Sequence, residues 1–337
     1  MFPSMPNEDP WDAEASQQVA RMTPGRQKAG VYSAVPDEEE PKPDPAEPEP
    51  DPEDDEFEEI EFVPVRAKLS AAIGGFALLL ATALIVGSLV TGPGARTSYV
   101  IVLFGVQLLG LLAWTMALQP PAAGITAGVV AIAALAADYL AATGEPGALL
   151  PLIWPALAGF VAAMIAQVIR AEDRQRAKDT WRTTLLIVAG TIAYALLITL
   201  TRVPLGSQAI VVCCVGAGTA LVIARLADAV FPKPRIALQV PRGATGIVLG
   251  AMLGTLAASV LGSYLVYPFT PTKGAVLGLI AAVAAHLIDL AVNFGEAGRR
   301  LAGDAPTFWL ARHMQGPLGG FALTAFVTYL SVHWYLT

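Results

Sequence analysis

The chain has 337 residues, of which 55% are apolar and 15% are charged, and its formal net charge is −7. A soluble domain carries roughly a quarter of charged residues, so this composition argues against a soluble globular protein and favours a membrane protein. The charge is unevenly placed: residues 1–65 hold nineteen acidic and four basic residues, whereas residues 66–337 hold nine acidic and seventeen basic ones.

Residues 1–65 predict a disordered, acidic, proline-rich tail on the cytoplasmic side. From Asp37 to Phe62 proline alternates with acidic residues, and such a segment buries too little apolar area to offset its chain entropy. The tail contains no apolar stretch typical of a cleavable signal peptide, so we expect the first transmembrane helix to act as the targeting signal. The tail is either a solvated spacer or a docking strip for a basic cytoplasmic protein, with Phe57, Ile60 and Phe62 as apolar anchors.

Residues 66–337 predict an all-α, polytopic bundle of about nine transmembrane helices. Apolar runs of 19 to 25 residues alternate here with short polar breaks, and about 20 apolar residues cross the hydrocarbon core. The runs lack the alternation of a membrane β-barrel. The predicted spans are 69–91, 98–118, 123–143, 148–169, 183–201, 207–231, 245–266, 275–294 and 317–336.

The basic residues between these spans predict the orientation. With the N-terminus inside, the cytoplasmic segments carry thirteen Lys or Arg residues and the opposite side carries three, which fits the positive-inside rule. The C-terminus then lies outside. The chain has fifteen Arg against six Lys and is rich in Ala, a composition that points to a bacterium, and we therefore expect a bacterial plasma membrane.

Small residues predict close helix packing. Gly250 and Gly254 form a GxxxG motif, which lets helix backbones approach in lipid, and this motif suits either a packed bundle or a dimer face, so the oligomeric state stays open. Cys213 and Cys214 are adjacent in an apolar run. Adjacent cysteines seldom form a disulfide, and we interpret the pair as small apolar fillers.

Charged groups inside predicted spans are candidates for function because they are costly in lipid. Arg225 and Asp228 share one helical face, and a local ion pair near the cytoplasmic interface accounts for them. His286 and Asp289 also lie three residues apart, with Asn293 one turn later, so this stripe is either a structural imidazole–carboxylate pair or a site for a cation or a headgroup.

Two further sequence features complete the candidate residues. Asp138 lies towards the outer end of the third span, where we expect an interfacial position. The loops at 231–243 (FPKPRIALQVPRG) and 295–316 (GEAGRRLAGDAPTFWLARHMQG) are rich in basic residues, and such residues bind phosphate groups well. We therefore predict a cytoplasmic pocket for a phosphate-bearing headgroup. Its candidate residues are Arg225, Asp228, Arg242, His286, Asp289, Asn293, Arg299, Arg300 and His313.

Three segments of the C-terminal part resemble the bacterial phosphatidate cytidylyltransferases, which make CDP-diacylglycerol from CTP and phosphatidic acid. The segments are GAGTALVIARLADAVF (216–231), PRIALQVPRGATGIVLGAMLG (234–254) and GLIAAVAAHLIDLAVNFGEAGRR (278–300). Asp289 falls on the family's aspartate in the third segment. The resemblance implies multiple spans with an active site on the cytoplasmic side and a divalent ion, Mg²⁺, that bridges the nucleotide phosphates.

The departures from the family pattern concern its acidic residues. Ala217 stands at the aspartate of the first segment, the glutamate of the second is missing, and Asn293 stands at a serine of the third. The stretch from His313 to Gly319 lacks both aspartates of the family's final motif. Because nucleotidyl transfer relies on metal neutralisation of developing charge, these losses imply a divergent, non-catalytic member.

The sequence contains no Walker-type loop, HExxH motif or nucleophile elbow. Our leading hypothesis is therefore a non-enzymatic membrane protein, without cofactor, that binds anionic phospholipid or recruits a basic partner through its tail. One alternative is a phosphatidate cytidylyltransferase-like enzyme with Mg²⁺. The other is a small-solute transporter with Asp138 or the His286–Asp289 pair on its pathway. We expect the lipid bilayer as a partner and no nucleic acid.

Overall fold

The computed structural model describes residues 63–90, 96–170, 180–304 and 307–336. The predicted acidic tail, apart from residues 63–65, and most of the polar loop at 171–182 lie outside these residues. The described chain is a helical bundle. Its α-helices are α1 (Ala67–Val90), α2 (Arg96–Leu118), α3 (Ala123–Thr143), α4 (Leu150–Arg170), α5 (Trp181–Ile192), α6 (Ala195–Leu200), α7 (Gly206–Val230), α8 (Ala244–Gly262), α9 (Pro271–Leu301) and α10 (Trp309–Ser331), and a π-helical turn (Val332–Leu336) follows α10.

The predicted all-α membrane fold is confirmed. In the described part of the chain, eight helices are long and apolar enough to cross a membrane, with α5 and α6 counted together as one span. In lipid the backbone groups must bond within their own segment, which is why apolar runs of this length become helices. The first six predicted spans agree with the observed helices to within two residues at each end.

The seventh predicted span ends four residues beyond α8, and the last two differ more from the helices observed. The prediction ended one helix at residue 294 and began the next at residue 317, but α9 continues to Leu301 and α10 begins at Trp309. Most of the predicted basic loop is therefore helical. The reason is local pairing, since Glu296 contacts Arg299 and Arg300 at i+3 and i+4 on α9. Helix α10 is not among the eight helices above.

A short break separates α5 from α6 within one apolar segment. Tyr194 lies at the break, and its hydroxyl donates a hydrogen bond of 2.6 Å to the carbonyl of Leu318 on α10. One turn earlier, the Thr191 hydroxyl bonds to the carbonyl of Ile187, a type of contact that bends helices. The hydrogen bond from Tyr194 thus links the α5–α6 segment to α10.

Helix α7 lies at the centre of the bundle and packs against α1, α8 and α9, while α10 packs against α2 and α9. The seam between α7 and α8 has very small residues: a Cβ added at Gly254 would lie 2.4 Å from the carbonyl oxygen of Gly216, and one at Gly250 would lie 2.4 Å from that of Ala220. The predicted GxxxG contact therefore forms within the chain. Cys213 and Cys214 are buried free thiols in α7.

Candidate functional site

Two arginines and two aspartates form a buried ion-pair network at one end of the bundle. Arg225 of α7 pairs with Asp289 of α9. Arg242, in the segment that joins α7 to α8, lies 2.8 Å from Asp228 of α7 and 3.1 Å from the second carboxylate oxygen of Asp289. All four residues are buried, and Arg242 and both aspartates are 0% exposed. The formal charges of the network cancel.

The segment between α7 and α8 positions Arg242. It folds back on itself, with a bridge between Arg235 and Gly243 and a hydrogen bond from the amide of Ile236 to the carbonyl of Arg242. This turn directs the Arg242 side chain into the bundle, while the amide of Gly243 donates a hydrogen bond of 2.9 Å to Asp228. A buried carboxylate needs such partners to offset its lost hydration.

The start of α1 closes the network from the other side. The Ser70 hydroxyl donates a hydrogen bond of 2.7 Å to the carbonyl of Arg225. Just before α1, the amide of Val63 bonds to the carbonyl of Leu238, and Arg235 donates to the carbonyl of Val63. Val63 therefore packs against the α7–α8 segment, although the prediction included residues 63–65 in the disordered tail.

The pairing within the network corrects two predictions. Arg225 and Asp228 do not form a local pair at an interface, because each has its closest charged partner on another element. The proposed imidazole–carboxylate bond is also absent among the described residues, since both ring nitrogens of buried His286 lack a hydrogen-bond partner there. Asn293 instead donates to the backbone carbonyl of Asp289. Long-range helix packing, which the spacing in the sequence does not encode, decides these partners.

The contacts of Arg242 are ion pairs without well-directed hydrogen bonds. Its nitrogens lie at hydrogen-bonding distance from Asp228 and Asp289, yet their N–H groups are not aligned on the carboxylate oxygens. Opposite charge at these distances holds this guanidinium between the two aspartates.

A second charged cluster lies next to the network, around Glu296 on the last turns of α9. Arg299 lies 2.5 Å from one Glu296 oxygen, and Arg312 and Arg300 lie 3.5 Å and 3.6 Å from the other. Among the described residues, three guanidinium groups thus share the carboxylate of Glu296. The Arg300 side chain is 37% exposed and that of Arg312 is 19% exposed, whereas that of Glu296 is 8% exposed, so the positive groups face outward.

A small pocket of about 40 Å³ separates the two clusters, room for a few water molecules in the static structure. The pocket collects residues from α7, α9, α10 and the α7–α8 segment. Its lining consists of Arg225, Gln239, Pro241, Asp289, Val292, Asn293, Glu296, Ala297, Arg300, Arg312, His313 and Gly316. We call this space the arginine pocket.

The structure places five of the nine predicted site residues in the arginine pocket, namely Arg225, Asp289, Asn293, Arg300 and His313. Arg242 and Asp228 lie behind it in the buried network. Arg299 lies beside it, bonded to Glu296 and to the carbonyl of Ala117 at the end of α2. His286 lies one turn below Asp289 on α9.

His313 contributes a neutral side chain to the pocket wall. Burial, with added repulsion from Arg312 and other arginines, lowers the pKa of His313 to about 3. The imidazole is therefore uncharged near neutral pH, and the positive charge of the pocket comes from its arginines.

Two glycines let backbone approach the carboxylates of the network. A Cβ added at Gly316 of α10 would lie 2.3 Å from an Asp289 oxygen, and one at Gly246 of α8 would lie 2.4 Å from an Asp228 oxygen. Real Cβ atoms do not come so close to oxygen, so both positions require glycine while the network keeps this geometry.

The sequence interpretation missed Glu296 and Gly316 as site residues, and it placed Arg312 in the basic loop at 295–316 without including it among the nine candidates. A signal for Glu296 was present, because it is an acidic residue four positions before Arg300, the spacing of a helical ion pair. The predicted loop at 295–316 hid this spacing. Gly316 gave no such signal, since its role depends on the contact between α9 and α10.

Asp138 lies away from this site. It is 0% exposed within the bundle, not interfacial as predicted, and it accepts a hydrogen bond of 2.9 Å from Gln107 of α2. Helix α3 packs against α2, α4, α5 and α6, and this packing covers the face that carries Asp138.

The donor set at the network does not fit a magnesium ion. Mg²⁺ prefers carboxylate oxygens and water in octahedral geometry, but both oxygens of Asp289 lie against arginines, and those of Asp228 lie against Arg242 and the amide of Gly243. Within the described ranges, no group of three or more His, Cys, Asp or Glu side chains could hold a metal ion.

The chain matches no protein-family model, no curated protein and no solved structure.

Proposed function

We propose that this polytopic membrane protein binds the anionic headgroup of a phospholipid in the arginine pocket and performs no catalysis there. The observation that carries the proposal is the gathering of three guanidinium groups around Glu296, with Arg300 and Arg312 lining the pocket. Guanidinium groups bind phosphate oxygens with directed, charge-assisted hydrogen bonds.

The position of the pocket supports a lipid ligand. The arginine pocket lies where spanning helices α7 and α9 approach the end of the bundle, next to the α7–α8 segment. Basic pockets between helices near a membrane surface bind lipid headgroups. We further propose that this end faces the cytoplasm of a bacterium, because the predicted orientation places the base-rich segments inside. A reporter enzyme fused to the C-terminus, active only outside, tests that orientation.

The resemblance to phosphatidate cytidylyltransferases remains the alternative proposal. The pairing of Asp289 with two arginines counts against it, since the aspartate that the resemblance would assign to catalysis is not available to a metal ion in this arrangement. Conversion of CTP and phosphatidic acid to CDP-diacylglycerol by the purified protein, with loss in Asp289→Ala, would establish the enzyme and contradict our proposal.

The test of headgroup binding uses the full chain in detergent or nanodiscs and measures retention of phosphatidic acid against phosphatidylcholine by native mass spectrometry. We expect Arg300→Ala to weaken phosphatidic acid binding by roughly fivefold, because one arginine near a membrane surface contributes about 1 kcal/mol to anion binding. Arg182→Ala is the matched control: it removes an equally basic, exposed side chain that stacks on Trp181 at the start of α5.

Arg182→Ala should leave phosphatidic acid binding unchanged. Equal retention of both lipids by the unmodified chain, or equal losses in the two variants, would show that the arginine pocket has no headgroup preference and would refute the proposal.

A further inference from the structure

A second, larger cavity lies in the membrane-spanning part of the bundle, between α2, the α5–α6 segment and α10. Its volume is about 300 Å³. Its walls are almost entirely hydrocarbon, with Trp114, Ile187, Leu318, Ala322 and Phe326 among them. We call it the apolar groove.

The two hydroxyl groups in its walls already have partners. The Thr191 hydroxyl donates to the carbonyl of Ile187 at 2.7 Å, and the Tyr194 hydroxyl donates to the carbonyl of Leu318 at 2.6 Å. A polar ligand would therefore gain little from these groups, whereas an alkyl chain would lose nothing by lying against them.

The apolar groove and the arginine pocket are neighbours along two helices. On α9, Ile288 lines the groove and the next residue, Asp289, lines the pocket; on α10, Gly316 lines the pocket and Gly319 lines the groove. At 1.5 Å per residue, Gly316 and Gly319 are separated by about 4.5 Å along the helix axis. A cationic space and an apolar space thus adjoin within one helical turn.

The groove is accessible from the side of the bundle. Leu186 on α5 is 51% exposed and Phe326 on α10 is 40% exposed, although both line the groove. These side chains belong to the lipid-facing surface, so the groove opens laterally and a chain can enter it without leaving the membrane.

We infer that the apolar groove holds an acyl chain of the same lipid whose phosphate binds in the arginine pocket, so the ligand is a phosphate-bearing amphiphile. This inference rests on the proposed function. A free phosphate compound would occupy the pocket alone, whereas a two-part ligand explains why a cationic pocket and an apolar groove lie within one turn of each other on α9 and α10. Since bilayer lipid is as apolar as the groove, the groove selects by shape and position and not by transfer from water.

Two glycines in the groove allow it to be filled without disturbing the packing. A Cβ added at Gly110 of α2 or at Gly190 of α5 meets no atom within 4 Å, and both residues line the groove. Gly110→Leu and Gly190→Leu should therefore occupy the space of an acyl chain. Gly105→Leu is the matched control, because Gly105 lies on α2, is exposed, has equally open surroundings and is not a lining residue.

The experiment compares two probes on the full chain: a long-chain phosphatidic acid and sn-glycerol 3-phosphate, which carries the same phosphate without acyl chains. We expect Gly110→Leu and Gly190→Leu to weaken binding of the long-chain probe by about tenfold or more, relative to Gly105→Leu, and to leave binding of glycerol phosphate unchanged. Thermal unfolding, followed by dye labelling of buried Cys213 and Cys214, confirms that each variant is folded.

The outcomes separate this inference from the proposed function. Unchanged binding of the long-chain probe in both filled variants, together with its loss in Arg300→Ala, would overturn the groove inference and leave the headgroup pocket standing. Binding of neither probe to the unmodified chain would overturn both.

Discussion

Replacing Asp289 by asparagine removes the carboxylate that pairs with Arg225 and Arg242. Both guanidinium groups are buried, with side-chain exposures of 9% and 0%, and Asp228 alone would remain to balance them. Breaking a buried pair by removing one partner typically costs 3–5 kcal/mol, because a buried charge is left uncompensated. For a bundle of about 270 residues each kcal/mol corresponds to about 1.5–2 °C in Tm, so we expect a loss of roughly 4–10 °C.

The double variant Asp289→Asn with Arg225→Met tests whether charge balance is the cause. It removes one positive and one negative group and leaves the Arg242–Asp228 pair, which lie 2.8 Å apart. Because neutrality is restored, the double variant should lose less stability than the sum of the two single variants, with a coupling energy of about 1–3 kcal/mol. Replacing a buried ion pair as a unit is often nearly neutral.

The chain carries its own probe for this measurement. Its two cysteines are both buried in α7, so a thiol-reactive dye should label them as the bundle unfolds, and labelling against temperature gives Tm. Lys273→Ala serves as the control, since Lys273 lies over the Tyr335 ring at the start of α9, about 24 Å along the helix axis from Asp289. A Tm for Asp289→Asn within error of the unmodified chain would refute the argument from buried charge.

Two further variants test the packing and the state of His313. Gly254→Val should lower the free energy of unfolding by about 1–3 kcal/mol, because its added atoms meet the Gly216 carbonyl. Gly128→Val, with open space at its Cβ, should not. Thiol labelling measures both variants, and equal Tm values would contradict the close packing of α7 against α8. Since the pKa of His313 is lowered from 6.5 to about 3, the folded chain binds this proton less tightly than the unfolded chain, and stability falls as pH drops below 6.5. His313→Gln should make Tm less sensitive to acid over that range, and an unchanged pH profile would contradict the assignment.

The helices were predictable from sequence because lipid imposes a simple rule on them. Apolar runs of about 20 residues must bond their own backbone groups, so the bounds of α1 to α7 follow from hydropathy to within two residues. The same rule failed at α9 and α10, whose ends are polar. There Glu296 and its arginines extend the helix by side-chain pairing, which a hydropathy pattern does not contain.

The candidate site was predictable as a set of residue types but not as a set of partners. Charge inside an apolar run marked Arg225, Asp228 and Asp289. The spacing on one helix then favoured local pairs, whereas the structure joins Arg225 to a residue 64 positions away. Contacts between helices set these distances, and no periodicity along a single helix can report them.

Of the two charged clusters, the buried network contributes to stability and the cluster around Glu296 is the proposed binding site. In the buried network two arginines meet two aspartates, the charges cancel, and a ligand anion that displaced an aspartate would leave a carboxylate without its counter-charge in a buried site. Around Glu296 three arginines meet one carboxylate, and Arg300 is the most exposed of them. An anion that enters the arginine pocket can therefore contact the outer arginines without breaking the ion pairs of the inner network. The consequence is a separation of phenotypes: Asp289→Asn should act chiefly on Tm, and Arg300→Ala chiefly on phosphatidic acid retention.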